Sequence, residues 1–183
     1  MILVALALAC VASVPLTGGR LSRLIDLPFR WGWAALSSLA LQVALTTLAP
    51  TGSSGLLKLA HVASYLLAAA CIFANRRITG LPILALGAAL NFVTITANDG
   101  VMPASARAMR LAGLAPAEHF GNSAALADPH LLALGDVLPV PGPWPLGNVM
   151  SVGDLLIFVG LLVVLHHACR TPRRGLGLRA HTA

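Results

Sequence analysis

The chain has 183 residues, of which 57% are hydrophobic and only 10% charged, and its mean hydropathy is +0.85. A soluble domain carries about a quarter charged residues, so this composition argues against a water-soluble particle and predicts a helical bundle embedded in a membrane. The net charge of +6 does not point to nucleic acid, because the basic residues form no continuous face interleaved with aromatic side chains.

In chain order, five apolar stretches are predicted as membrane spans. The first, about Met1–Leu16, closes at Pro15 before Gly18-Gly19-Arg20. It lacks the basic leader of a signal peptide and reads as an uncleaved helix. The joint from Arg20 to Arg30 mixes apolar and basic residues, as expected of a segment lying on a membrane surface. The second span is about Trp31–Ala49, with Trp31 and Trp33 placed for an interfacial belt and Pro50 as its stop. The third is about Gly55–Ala74, and the fourth, after Arg76-Arg77, about Leu81–Asn98.

The segment Asp99–Asn148 is too long for a plain turn. Two short helices are predicted in it, near Ala104–Leu114 and Ala124–Leu134. The run from Pro139 to Pro145 cannot continue a helix, and Trp144 within it suits an interface. The fifth span is about Val149–Ala168.

Arginines orient this arrangement. Nine lie on one side, in the first joint, the Arg76-Arg77 joint and the C-terminal tail; Arg107 and Arg110 lie on the other. The excess of positive charge marks the cytoplasmic side. The expected fold is therefore all-α: an integral membrane bundle of five transmembrane helices, N-terminus outside and C-terminus inside. An external loop of about fifty residues (99–148) joins the fourth and fifth helices. Residues 1–169 form the transmembrane domain and 170–183 a basic cytoplasmic tail.

Within the spans, the polar residues fall into stripes. Lys58, His61 and Tyr65 share one helix face by their i, i+3, i+7 spacing, as do Asn91, Thr94 and Asn98. At 1.5 Å of rise per residue, His61 lies about 9 Å below Gly55 and Asn91 about 10 Å below Asn98. Gln42 adds an amide in the outer half of the second span, and Ser151-Val152-Gly153-Asp154 sets a carboxylate at the start of the fifth. Ionisable groups inside a bilayer are costly and point to function by default. The expected site is an outward-facing polar pocket built from Gln42, Lys58, His61, Tyr65, Asn91, Asn98, Asp99 and Asp154. A structural reading stands beside it. Lys58 would snorkel to the headgroups, Asp154 would serve the helix dipole, and Asn91 and Gln42 would bond neighbouring helices at about 1 kcal/mol each.

Glu118-His119, Asp128-Pro129-His130 and Asp136 are metal-binding types without ligand spacing, so no metal or other cofactor is expected. Cys10, Cys71 and Cys169 are an odd, widely spaced set and read as small buried residues. His166-His167 falls at the inner end of the fifth span. No nucleophile elbow, phosphate loop or paired-histidine zinc motif occurs.

Four short motifs carry a resemblance. Asn98-Asp99-Gly100-Val101-Met102-Pro103, Leu134-Gly135-Asp136, Ser151-Val152-Gly153-Asp154 and Gly18-Gly19-Arg20 together resemble a bacterial family of small multi-pass membrane proteins. That family is catalogued as domain of unknown function 5317. The resemblance extends over about Met1 to Cys169. It implies a bacterial plasma-membrane protein and supplies no activity, cofactor or catalytic residue.

Three functions fit these residues. One is a non-catalytic module for ligand or lipid binding, sensing or assembly, with membrane lipids as surroundings and a membrane protein or a second copy as partner. Another is an intramembrane enzyme acting on a lipid-linked substrate, with His61 or Asp154 as acid or base and Lys58 holding an anionic group. The third, a small transporter or channel subunit, requires polar groups through the full thickness, and the inner half is nearly bare of them.

Overall fold

The structure is a computed structural model that describes residues 2–48, 55–114, 123–142 and 147–170. Among the described residues there are six α-helices: α1 (Ile2–Leu16), α2 (Gly32–Leu48), α3 (Gly55–Ala74), α4 (Leu81–Ala97), α5 (Ala106–Leu111) and α6 (Val152–Arg170). Two sheets of two strands accompany them. β1 (Met102–Pro103) pairs in parallel with β2 (Ser123–Ala124), and β3 (Asp136–Val140) pairs antiparallel with β4 (Asn148–Ser151). The joint after α1 forms a 3₁₀ turn over Leu21–Asp26.

This overturns the expected all-α bundle of five transmembrane helices. Among the described residues, only α6 is both long and apolar enough to cross a membrane, with 19 residues at a mean hydropathy of 2.0. Length is the reason. At 1.5 Å per residue, the 15 residues of α1 reach about 23 Å and the 17 of α4 about 26 Å, short of a hydrocarbon core of about 30 Å. The apolar part of α3 among the described side chains is Val62–Ala74.

The connection from α4 to α6 also departs from expectation. It is a small folded cap rather than a loop carrying two helices. The first expected helix is present as α5, N-capped by Ser105, whose hydroxyl accepts from Ala108 N at 3.4 Å. In place of the second stand β2 and a 3₁₀ turn at Leu132–Leu134. Trp144, Glu118, His119 and the tail arginines beyond Arg170 lie outside the described residues.

The main axis of the molecule is the α4–α6 pair. Its helices approach closely because glycines face the partner. A Cβ on Gly87 would meet Ile157 N at 2.8 Å, and one on Gly160 would meet Leu84 Cα at 2.8 Å. This is how helices pack when small residues let backbones approach. α2 and α3 form a second pair, joined by the Ser38 hydroxyl donating to Ser64 O at 2.8 Å. α1 and the 3₁₀ turn pack on the far end of α6, burying Cys10, Val14, Leu165 and Cys169 with Leu24 and Phe158 against them. The cap has a core of its own in Ala104, Ala108, Met109, Ala112 and Val149.

The two ends of α6 differ in charge. At its C-terminal end the orphan carbonyls of two helices are capped crosswise. Arg23 donates to Cys169 O at 3.0 Å, and Arg170 donates to Thr17 O, just past α1, at 2.8 Å. Cations at helix C-termini are also favoured by the dipole.

A buried polar junction at the start of α6

Ser151 and Asp154 open α6 as a reciprocal capping box. Asp154 N donates to Ser151 Oγ at 2.9 Å, and Ser151 N donates to Asp154 Oδ2 at 3.0 Å. Asn91, on α4, completes the set. Its amide donates to Asp154 Oδ1 at 2.8 Å, and its carbonyl oxygen accepts from Ser151 Oγ at 2.9 Å. Gly153 makes room, since a Cβ there would lie 2.6 Å from Asn91 Cγ. Ser151 is fully buried. All three side chains are thus matched donor to acceptor.

Asp136 joins from the cap. In the β3–β4 register it stands opposite Ser151, and it is 5% exposed. Ser123 donates a hydroxyl bond to its Oδ2 at 2.5 Å. Burial pushes its carboxyl up to about 6; the Ser123 bond opposes that and the nearby Asp154 charge adds to it. Its carbonyl also accepts from Ser105 N at 2.9 Å, so one residue ties β2, β3 and the start of α5 together.

The expected pocket residues separate as follows. Asn91 and Asp154 meet directly. Asn98, buried at the end of α4, works elsewhere: its amide donates to His130 O and Thr94 O, and its oxygen accepts from His130 N, all at 2.8 Å. It clamps the loop before the second 3₁₀ turn onto α4. Asp99 is exposed in a left-handed turn at φ 54. Tyr65 packs against Phe92, ring centroids 4.4 Å apart and tilted by 49°. Gln42 is half-buried on α2. Lys58 and His61 occupy α3, but their side chains lie outside the described residues.

Asp136, Ser123 and Ser151 were not among the expected site residues. The Ser-x-x-Asp spacing before an apolar run signals the capping box; nothing local signals the pairing of Ser123 with Asp136, which depends on the strand arrangement. His166 sits between Ser13 Oγ (2.9 Å) and Thr17 Oγ1 (3.3 Å), a contact between α6 and the end of α1. Among the described residues, no three His, Cys, Asp or Glu side chains converge in a group that could hold a metal ion. The three cysteines are buried and free.

No solved structure matches this chain. A protein of Thermotoga maritima, described as uncharacterized, is 36% identical over 89 residues, which is 49% of this chain and 52% of that protein. The chain thus spans about half the length of this curated relative. Residues 26–166 match a family described as "Family of unknown function (DUF5317)". That stretch runs from the end of the 3₁₀ turn to the last turns of α6 and contains Asn91, Asn98, Asp136, Ser151 and Asp154, and the chain belongs to this family.

Proposed function

We propose that this chain is a non-catalytic module of the bacterial plasma membrane that serves binding, sensing or assembly, its folded cap held rigidly on α4 and α6. The observation carrying this reading is the closed bonding of Asn91, Ser151 and Asp154. Both carboxylate oxygens of Asp154 accept, and the Ser151 hydroxyl both donates and accepts. A general base or nucleophile needs a lone pair aimed at substrate, whereas both oxygens of Asp154 are turned to groups of α4 and of its own helix cap, an arrangement suited to holding elements together. Membrane residence is supported by the apolar length of α6. It is supported further by the exposed apolar side chains of the other long helices, among them Leu8, Leu36, Leu66 and Phe73, each at least 65% exposed. Apolar surface on that scale marks contact with lipid or a partner.

Two measurements test the reading. Alkaline carbonate washing of membranes from cells making the chain should leave it in the pellet; release into the wash would overturn membrane residence. Purified Asp154→Asn should keep whatever lipid or protein co-purifies with the parent chain, provided it remains folded. A turnover of lipid-linked substrate lost in Asp154→Asn at unchanged stability would establish the enzyme instead.

A further inference from the structure

Arg23 and Arg170 are engaged on helix-end carbonyls. Arg76 lies over the Phe73 ring at 4.2 Å and donates to Phe73 O. Arg30 and Arg77 are exposed, and among the described residues their guanidinium groups have no partner. Both line one open groove of about 400 Å³, together with His167 and the apolar Leu27, Pro28 and Ile78. A second groove of about 370 Å³ continues around Arg30 to Trp31, Phe73 and Arg76. Among the described residues no carboxylate lines either one.

This groove is built. Asn75, 3% exposed at the end of α3, accepts from Arg30 N at 2.7 Å and donates to Arg30 O at 2.7 Å and to Cys71 O at 2.8 Å. It fixes the backbone that carries Arg30 against the wall from which Arg77 projects. Trp31 lines the second groove, and Ile25, Phe29 and Trp33, close to Arg30 in the chain, are exposed with it, apolar and aromatic side chains of the kind found at membrane interfaces.

Unpaired guanidinium groups over an apolar floor match one ligand chemistry: a phosphate whose other end is hydrocarbon. Arginine presents forked donors to phosphate oxygens, while Leu27, Pro28 and Ile78 suit a glycerol and acyl stem. We propose that this groove holds the headgroup of an anionic phospholipid, with Arg30 and Arg77 as its phosphate-binding residues and Asn75 positioning Arg30. The proposal rests on the membrane reading above and goes further, since it names a site and a lipid class.

The test is lipid retention by the full chain purified in detergent, read by native mass spectrometry after exposure to equal phosphatidylglycerol and phosphatidylcholine. Phosphatidylglycerol should be retained preferentially. Arg30→Gln with Arg77→Gln should weaken that retention by about five-fold per arginine, with the far-ultraviolet spectrum unchanged. Arg107→Gln with Arg110→Gln, the same charge change on α5, should leave it intact. Equal loss in both double variants, no loss in the first, or displacement by inorganic phosphate alone would overturn the site. Carbonate washing separates the two failures. A washed-out parent chain defeats the membrane reading and the groove together; a retained chain with indifferent Arg30 and Arg77 defeats the groove only.

Discussion

The side-chain amide of Asn91 on α4 lies 2.8 Å from Asp154 Oδ1 at the start of α6, and the same Asn91 accepts from Ser151. One asparagine thus holds both halves of a helix cap that belongs to its neighbour. Replacing Asn91 with Ala leaves a carboxylate oxygen and a buried hydroxyl without their partner, which costs about 1–3 kcal/mol. Asn91→Asp should be worse near neutral pH, since it sets two carboxylates in contact, and should recover as acid protonates one of them. Thermal melts of the two variants at pH 7 and pH 5 check this; an Asn91→Asp protein as stable as the parent at pH 7 would refute the role given to Asn91.

The α4–α6 contact is predicted to be intolerant of bulk. A Cβ on Gly87 would meet main-chain atoms of α6, and backbone cannot turn aside as a flexible side chain does. Gly87→Leu should therefore destabilise by about 1–3 kcal/mol or more through overpacking, and Gly160→Leu likewise. Gly113, whose Cβ would meet nothing within 4 Å but whose φ is +77, offers a contrast in which Gly113→Asn should be mild, since asparagine tolerates that conformation. Comparative denaturation of the three proteins would decide the matter.

The positions of the five long helices were legible because apolar runs, Pro50 and the glycine and arginine joints bound them in sequence. Whether such a helix crosses a membrane was not. Hydropathy registers an apolar face, but α1 and α4 fall short by a few residues, a margin within which helix-end prediction is unreliable. Asp154 was legible as part of a Ser-x-x-Asp motif and Asn91 as an intrahelical amide, but their meeting was not: reckoning by depth set Asn91 level with His61 and Asp154 nearer the outer end, and the contact depends on how α4 and α6 are staggered. The cap was read least well. Its strands are two to five residues long and pair Met102 with Ser123 and Asp136 with Ser151, contacts that no local periodicity encodes. Asp136 could be seen only as a residue in a motif, because its burial is created by those pairings.

Asn75 carries a prediction of its own. Three of its hydrogen bonds, two of them to the backbone of Arg30, join the joint before α2 to the end of α3. Asn75→Ala leaves the Arg30 N–H and C=O without their partners and should cost about 2 kcal/mol. Asn75→Asp keeps the acceptor but loses the donor, so it should repair only the bond from Arg30 N. Hydrogen exchange at the Arg30 amide reads this directly. Exchange should quicken in Asn75→Ala and stay slow in Asn75→Asp; equal protection in the parent and Asn75→Ala would show that the clamp is idle.

Asp136 makes the stability of the cap depend on pH in a direction opposite to that of most carboxylates. Burial raises its carboxyl from 3.8 to about 6 in the folded chain, so between those values the folded state binds a proton that the unfolded state has lost. Stability therefore falls as pH rises from about 4 to 6, and the penalty stays constant above that range. Integrated over the shift it approaches 3 kcal/mol at about 1.4 kcal/mol per unit. Asp136→Asn removes the titration while keeping an acceptor for the Ser123 hydroxyl. Its melting temperature should lose the decline between pH 4 and 6 and should exceed that of the parent at pH 7.5. Ser123→Ala acts the other way: without the hydroxyl bond that favours the charged form, the carboxyl rises further and the decline extends to higher pH. Identical pH profiles for the parent and Asp136→Asn would mean that the buried carboxylate is not the group that titrates.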